Sequence, residues 1–173
     1  MTNNEFLEKL RLQTGGKVIK EDSVGGLTDT ILRPFSRLYA DYKKHYIKVD
    51  FIDSAEILLE ISVTTPHRML LRPENIISKL LDKVNLSPEV KIGDPEFDAA
   101  YVIQNTDEQH AKKTINERFK QLISSLTPFL SFEMTDREFK LVKSVDITGI
   151  YTTEKAFSDI NILVELVEAT KGI

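Results

Sequence analysis

Cysteine and tryptophan are both missing from the 173 residues. Without cysteine there is no disulfide framework, no thiolate metal site and no cysteine nucleophile, as suits a reducing cytoplasm. No apolar run approaches the roughly 18 residues needed to cross a bilayer. The opening "MTNNEFLEKL" lacks the basic and apolar regions of a signal peptide, so a cytoplasmic location is expected. No Pro/Ser-rich linker or low-complexity tract divides the chain, and one domain over 1–173 is expected. Charge of neither sign dominates: 23 Lys and Arg oppose 27 Asp and Glu, a net −4. That balance argues against a dedicated nucleic-acid binder, which carries a basic excess. GxSxG, P-loop and GxGxxG motifs are absent. "VGGLTDT" is glycine-rich but lacks the lysine and the strand–helix frame that cradle a phosphate. His45, His67 and His110 form no HxH, HExxH or similar spacing, so they can join a metal site or triad only by tertiary convergence.

With 41% hydrophobic residues the chain can bury a core without staples. Phe6, Leu7 and Leu10 after a polar start predict a short first helix closed by Gly15-Gly16. "KVIKE" reads as a short strand before Gly25-Gly26. In "YIKVDFIDSAEILLEISV" apolar residues alternate with others on both sides of Asp53-Ser54, predicting a hairpin. Alternation with one polar face implies a sheet solvated on one side, hence antiparallel. Pro73 suits a first helical position, and Ile76, Ile77, Leu80, Leu81 and Val84 then give one apolar face. Tyr101, Val102 and Ile103 read as a strand. Thr106 and Gln109 have capping-box spacing, opening a helix with Ala111, Ile115, Phe119, Leu122, Ile123 and Leu126 on one side. "FLSFEM" and "FKLVKSV" form a second hairpin around "TDRE". A last helix over roughly 153–170 buries Phe157, Ile160, Leu163, Val164 and Val167. The fold class is α+β: an antiparallel twisted sheet of hairpins, about three main helices on one face, and a short N-terminal helix.

The segment "KIGDPEFDAAYVIQ" concentrates acidic residues. Its Asp-x-Glu-x-Asp spacing invites a calcium loop, which needs glycine at the sixth position and glutamate at the twelfth. Counted from Asp94 those places hold Ala99 and Asn105, and a strand over 99–104 would send side chains to opposite faces. No metal is expected. A structural corner accounts for the segment: Gly93 supplies an unusual backbone angle, Asp94 bonds amides two residues on, and Pro95 fixes the next residue. Phe97 then anchors the turn, and Asp98 ties it off.

"GDPEFD" followed by "YVI" resembles the Gly-Asp-Pro-x-Phe-Asp-x-x-Phe/Tyr-Val signature of a family of uncharacterised prokaryotic proteins. "HRMLLRPENIISKLLDKV" is similar to that family's Arg-Pro-Glu helix. "NTDEQHAKKTINERFKQLI" is similar to the helix after its acidic turn, and "TGGKV" to its Leu-Gly-Gly segment. Many relatives carry this domain after membrane-spanning segments. The family has no established activity, so the resemblance implies a fold and transfers no catalytic residue. It marks Gly93, Asp94, Pro95, Phe97, Asp98 and Tyr101 as the signature positions, read as structural.

A second stretch, "RPFSRLYADYKKHYIK" at 33–48, has five Lys/Arg against one Asp. Phe35, Tyr39, Tyr42 and Tyr46 fall at helical spacing within it. Arg33, Arg37, Tyr39, Tyr42, Lys43 and Lys44 are therefore candidates for a binding patch, toward an anionic membrane surface or single-stranded nucleic acid. The alternative is that the tyrosines are core and the lysines a solvated sheet edge.

These readings favour a non-enzymatic binding or protein-interaction domain without a cofactor, with a protein partner or a second copy as candidate partners. A curved sheet under a long C-terminal helix can also enclose an apolar-ligand pocket. The competing class is a hydrolase-type enzyme, in which acidic residues of the 94–98 corner meet His67 or His110 in a cleft.

Overall fold

Among the described residues, eight segments pair into one antiparallel sheet in the order β1-β2-β3-β4-β8-β7-β5-β6. The strands are β1 (Lys17–Glu21), β2 (Phe35–Tyr42), β3 (His45–Phe51), β4 (Glu56–Ser62), β5 (Met69–Pro73), β6 (Tyr101–Gln104), β7 (Ser131–Met134) and β8 (Glu138–Ser144). The helices are α1 (Asn3–Thr14), α2 (Glu74–Ile77), α3 (Pro95–Ala100), α4 (Glu108–Thr114), α5 (Glu117–Leu126) and α6 (Thr153–Thr170). This computed structural model describes residues 1–21, 35–52, 55–66, 68–77, 88–145 and 151–171. Asp53-Ser54, Gly25-Gly26, "VGGLTDT" and residues 78–87 of the predicted Pro73 helix lie outside them.

The register lines up one apolar row across the whole sheet: Val18, Leu38, Val49, Leu59, Leu141, Phe132, Leu71 and Ile103. All but half-buried Val18 are sealed from solvent. A second inner row joins Ala40, Ile47, Ile61, Phe139, Met134 and Met69. Between these rows, on the opposite face, runs Lys17–Tyr39–Lys48–Glu60–Lys140–Glu133–Leu70–Gln104. Successive residues of a strand point to opposite faces, so the alternation written in each strand becomes an inner and an outer surface. On the outer surface Lys48 pairs with Glu60, Lys140 with Glu138 at 2.6 Å, and Arg37 with Asp50 at 2.5 Å.

The helices bury their apolar stripes on the inner rows. Thr2 caps α1 in a reciprocal box with Glu5, and Phe6, Leu7 and Leu10 enter the core. Gly15 and Gly16 close it with φ of 75° and 87°. A Cβ on Gly16 would lie 2.1 Å from the Tyr39 carbonyl oxygen, so only glycine lets the chain pass there into β1. Helix α6 packs against both α1 and α5.

Local details depart from the sequence pattern. The helix predicted from Thr106 is two helices: Asp107, not Thr106, caps α4 by accepting from the His110 amide at 3.0 Å. Asn116 then interrupts the run, its side-chain oxygen taking the Phe119 amide at 2.9 Å to start α5. An amide side chain competing for backbone donors outweighs continuous apolar periodicity. Pro73 ends β5, and helix begins one residue later. Ala99 and Ala100, expected in a strand, close α3 instead.

Leu141→Ala is expected to cost about 2–5 kcal/mol, because it opens a cavity in the central row. Val142→Ala, one residue along on the outer face, is expected to cost about 1 kcal/mol or less. Urea unfolding of both variants checks the register directly.

Candidate functional site

The acidic corner is a capped turn and a half of helix. Asp94 sits at the N-cap of α3, its Oδ1 accepting the amides of Glu96 and Phe97, each at 3.1 Å. Pro95 takes the first helical position, where a missing N–H costs nothing. Gly93 has φ 86°, and Asp98 folds back to accept the amides of Ile92 at 3.0 Å and Gly93 at 2.8 Å. Phe97 is buried, and Tyr101 stacks between it and Phe129. The three carboxylates therefore diverge: Asp94 and Asp98 turn to separate amide pairs, while Glu96 stands exposed.

One partner is not visible in the local sequence. Lys120 of α5 reaches Asp94 Oδ2 at 2.5 Å and Glu117 at 2.8 Å. The Lys120 hydrogen bond, with the Phe97 amide second, holds the Asp94 carboxyl below its usual range and raises Lys120 in return. The two described histidines bond elsewhere. His110 bonds Asp107 within its own helix turn. His45 opens β3 and contacts Glu168 of α6 at 3.0 Å. His67 lies outside the described residues. Among the described residues no three His, Asp or Glu side chains cluster in a way that could hold a metal ion.

The basic–aromatic stretch is a correction. Its tyrosines have helical spacing, yet 35–51 folds as the β2–β3 hairpin, with Lys43 and Lys44 at the tip in positive φ, 49° and 68°. Pairing with β4 and β1 holds these residues extended and overrides the spacing. The predicted patch consequently divides. Arg37 and Tyr39 lie on the outer face, where Tyr39 stacks with Tyr46 and Arg37 is paired to Asp50. Tyr42 turns to the helix side, packing on Phe157 and donating to Asn161 at 3.0 Å. Lys43 also bonds Asn161, at 2.7 Å. Arg33 lies outside the described residues.

One buried charged group is a residue that the sequence reading passed over. Phe139, Leu141 and Val145 of the "FKLVKSV" segment face inward, and so does Lys143, with 2% of its surface exposed. Its ammonium donates to Asp159 Oδ2 at 2.8 Å and to the Leu126 carbonyl at 2.7 Å. Tyr151 donates to the same Asp159 oxygen at 2.7 Å. Lys155 stands 3.2 Å from Oδ1 as an ion pair without hydrogen-bond alignment. Burial pulls Lys143 below the usual lysine range against the opposing pull of Asp159, and burial raises Tyr151 well above its own. The legible signal was a charge at the buried phase of a strand, matched by Asp159 on the apolar stripe of α6.

No protein-family model matches the chain, and no curated protein matches it in sequence. Among solved structures, the crystal structure of the mycobacterial trehalose monomycolate transport factor A, TtfA, is similar at a TM-score of 0.68. Identity is 9%, over 97% of this chain and 94% of that one. At that identity the likeness shows the α+β fold alone.

Two outcomes test the site. Lys143→Met leaves Asp159 without its main counter-charge and is expected to cost about 3–5 kcal/mol. Lys143→Met with Asp159→Leu is expected to recover most of that loss in urea unfolding. Because Asp94 has a depressed folded pKa, its contribution is present above the ordinary value of 3.8 and is lost as pH falls through the folded one. Asp94→Asn should therefore lower the melting temperature at neutral pH and flatten its decline between about pH 5 and 2.

Proposed function

We propose that the chain is a non-catalytic interaction domain that docks a protein partner on the outer face of its sheet. The observation that carries this is the disposition of the acidic corner: Asp94 and Asp98 are spent on main-chain amides and on Lys120, and the pocket that Asp94 lines with Lys112 and Lys120 does not take in Asp98. A hydrolase-type pair needs two carboxylates, or a carboxylate and a histidine, converging on one reacting atom.

The outer face supports a protein as the partner. Its charges alternate in sign and pair with each other along Lys48, Glu60 and Lys140. Half-buried Leu58, Leu70 and Val142 and the stacked Tyr39–Tyr46 pair lie between them. Apolar and aromatic patches framed by mixed charge suit a protein interface. A polyanion or an anionic lipid surface calls for a single-sign stripe, which the pairing of Arg37 and Lys48 removes. The fold-sharing structure is named a transport factor, a role in keeping with an accessory domain. The resemblance of residues 93–98 to a prokaryotic family signature supports the same reading, since Gly93, Asp94 and Pro95 shape the backbone of the corner.

A photo-crosslinking side chain placed at Tyr46 or Leu58 is expected to trap a defined protein partner in cells. The same group at Leu12, exposed on α1, is expected not to. Purified chain is expected to turn over no phosphoester, carboxyl ester or peptide substrate. Turnover abolished by Asp98→Asn with an unchanged melting temperature would put the enzyme reading in its place.

A further inference from the structure

A cavity of about 270 Å³ opens where the starts of α1 and α6 meet the ends of β3 and β8. Its wall is Phe6, Phe51, Val145 and Tyr151. Phe6 stacks with Tyr151 at 6.2 Å and meets Phe51 edge-on at 5.6 Å, so the rings form an angled aromatic corner. Each of these four keeps a few per cent of its surface exposed, unlike the sealed residues of the central row. Apolar cavities near 150 Å³ admit a benzene ring, so this volume holds a ring with a short substituent.

The rim decides the polarity of that substituent. Thr2 and Thr152 line it; each accepts a helix-capping bond, from Glu5 N and Lys155 N, and turns its hydroxyl to a carboxylate, Glu5 and Glu154 respectively. The charges lining it are the Met1 ammonium, Lys9 and Glu154, and both cations also act on nearby Glu5. Two ammoniums balance two carboxylates, so the rim offers an anion no net attraction to offset its desolvation against the apolar wall, and a neutral polar group is the matching one. The Tyr151 hydroxyl is not available to it, being donated inward to Asp159.

We infer that this cavity is a binding site for a small neutral molecule of about one-ring size bearing a hydroxyl or carbonyl. It lies on the helix-covered side of the sheet and stands apart from the outer-face docking surface, so either reading can fail alone.

The test is an NMR titration of the full chain with p-cresol, and with benzoate as the anion of similar size. Saturable shifts are expected at Phe6, Phe51, Tyr151 and Thr152 with p-cresol, with a dissociation constant of about 1 mM or tighter. Benzoate should bind at least about tenfold more weakly, because its carboxylate must leave water for an apolar wall under a rim of no net charge. Val145→Phe, which fills the cavity, and Asn3→Trp, which covers its rim, should each abolish the p-cresol shifts. Asn3→Trp keeps the test open should Val145→Phe fail to fold. Absence of saturable shifts, survival of binding in a folded Asn3→Trp variant, or equal affinity for benzoate would overturn the inference.

Discussion

Everything else in this molecule is hung on the register of one row of side chains. Val18, Leu38, Val49, Leu59, Leu141, Phe132, Leu71 and Ile103 line up across eight strands. A slip of one residue in any strand would exchange that strand's inner and outer sets. In β8 it would bury Lys140 beside Leu59 and bring Leu141 to water. The outer rungs resist the same slip, since Lys48, Glu60 and Lys140 meet only in this alignment. Exposed ion pairs add little stability of their own. Their effect here is to make alternative registers worse, which matters for a sheet built from strands far apart in sequence, such as β4 beside β8.

Within that frame Lys143 is an inner strand position, sealed from solvent, where a full charge replaces an apolar side chain. Its row is Phe51, Ile57, Lys143, and no water-facing route is left to it. The cost is met by three oxygens and a ring: Asp159, the Leu126 carbonyl, the Tyr151 hydroxyl bound to the same carboxylate, and the Tyr151 face 5.4 Å away. A buried pair of this kind breaks about even with a hydrophobic pair of similar volume. What it adds is position. Apolar stripes tolerate small rotations of a helix, whereas Asp159 reaches Lys143 from one rotation of α6 only. The pair thus fixes α6, and with it Thr152 and Tyr151 at the cavity.

Most strands and the long helices were legible from period, whereas β2 and β5 were not read as strands. The hairpins around 46–63 and 131–144, and α6, appear where alternation and helical spacing place them. The cap details were legible in kind but displaced: Asp107 rather than Thr106, and an unforeseen second cap at Asn116. Side chains that can accept an amide are common near helix starts, and which one does so depends on where tertiary packing aims the chain. The 33–48 stretch shows the limit of periodicity, because tyrosines every three or four residues fit a helix or two strands and a turn. Pairing partners decide, and those are distant in sequence. Asp94–Lys120 and Lys143–Asp159 were out of reach for the same reason. Only the anomaly of a lysine in a buried phase pointed at one of them.

The acidic corner gains its importance from what it joins. Its hydrogen bonds turn the chain from Val90 into α3 and then into β6, where Val90 bridges back to Ile103. Lys120 ties the same corner to α5, whose C-terminal carbonyl at Leu126 accepts from Lys143. A continuous path therefore runs from Asp94 through α5 to the buried lysine and on through Asp159 to α6. Each link has ionic character, and each sits where an apolar contact would leave a helix free to slide. The carboxylate at position 94 is the outer end of a brace: two amides and the Lys120 ammonium occupy three of a carboxylate's roughly four acceptor sites, and those same bonds start α3 and tie it to α5.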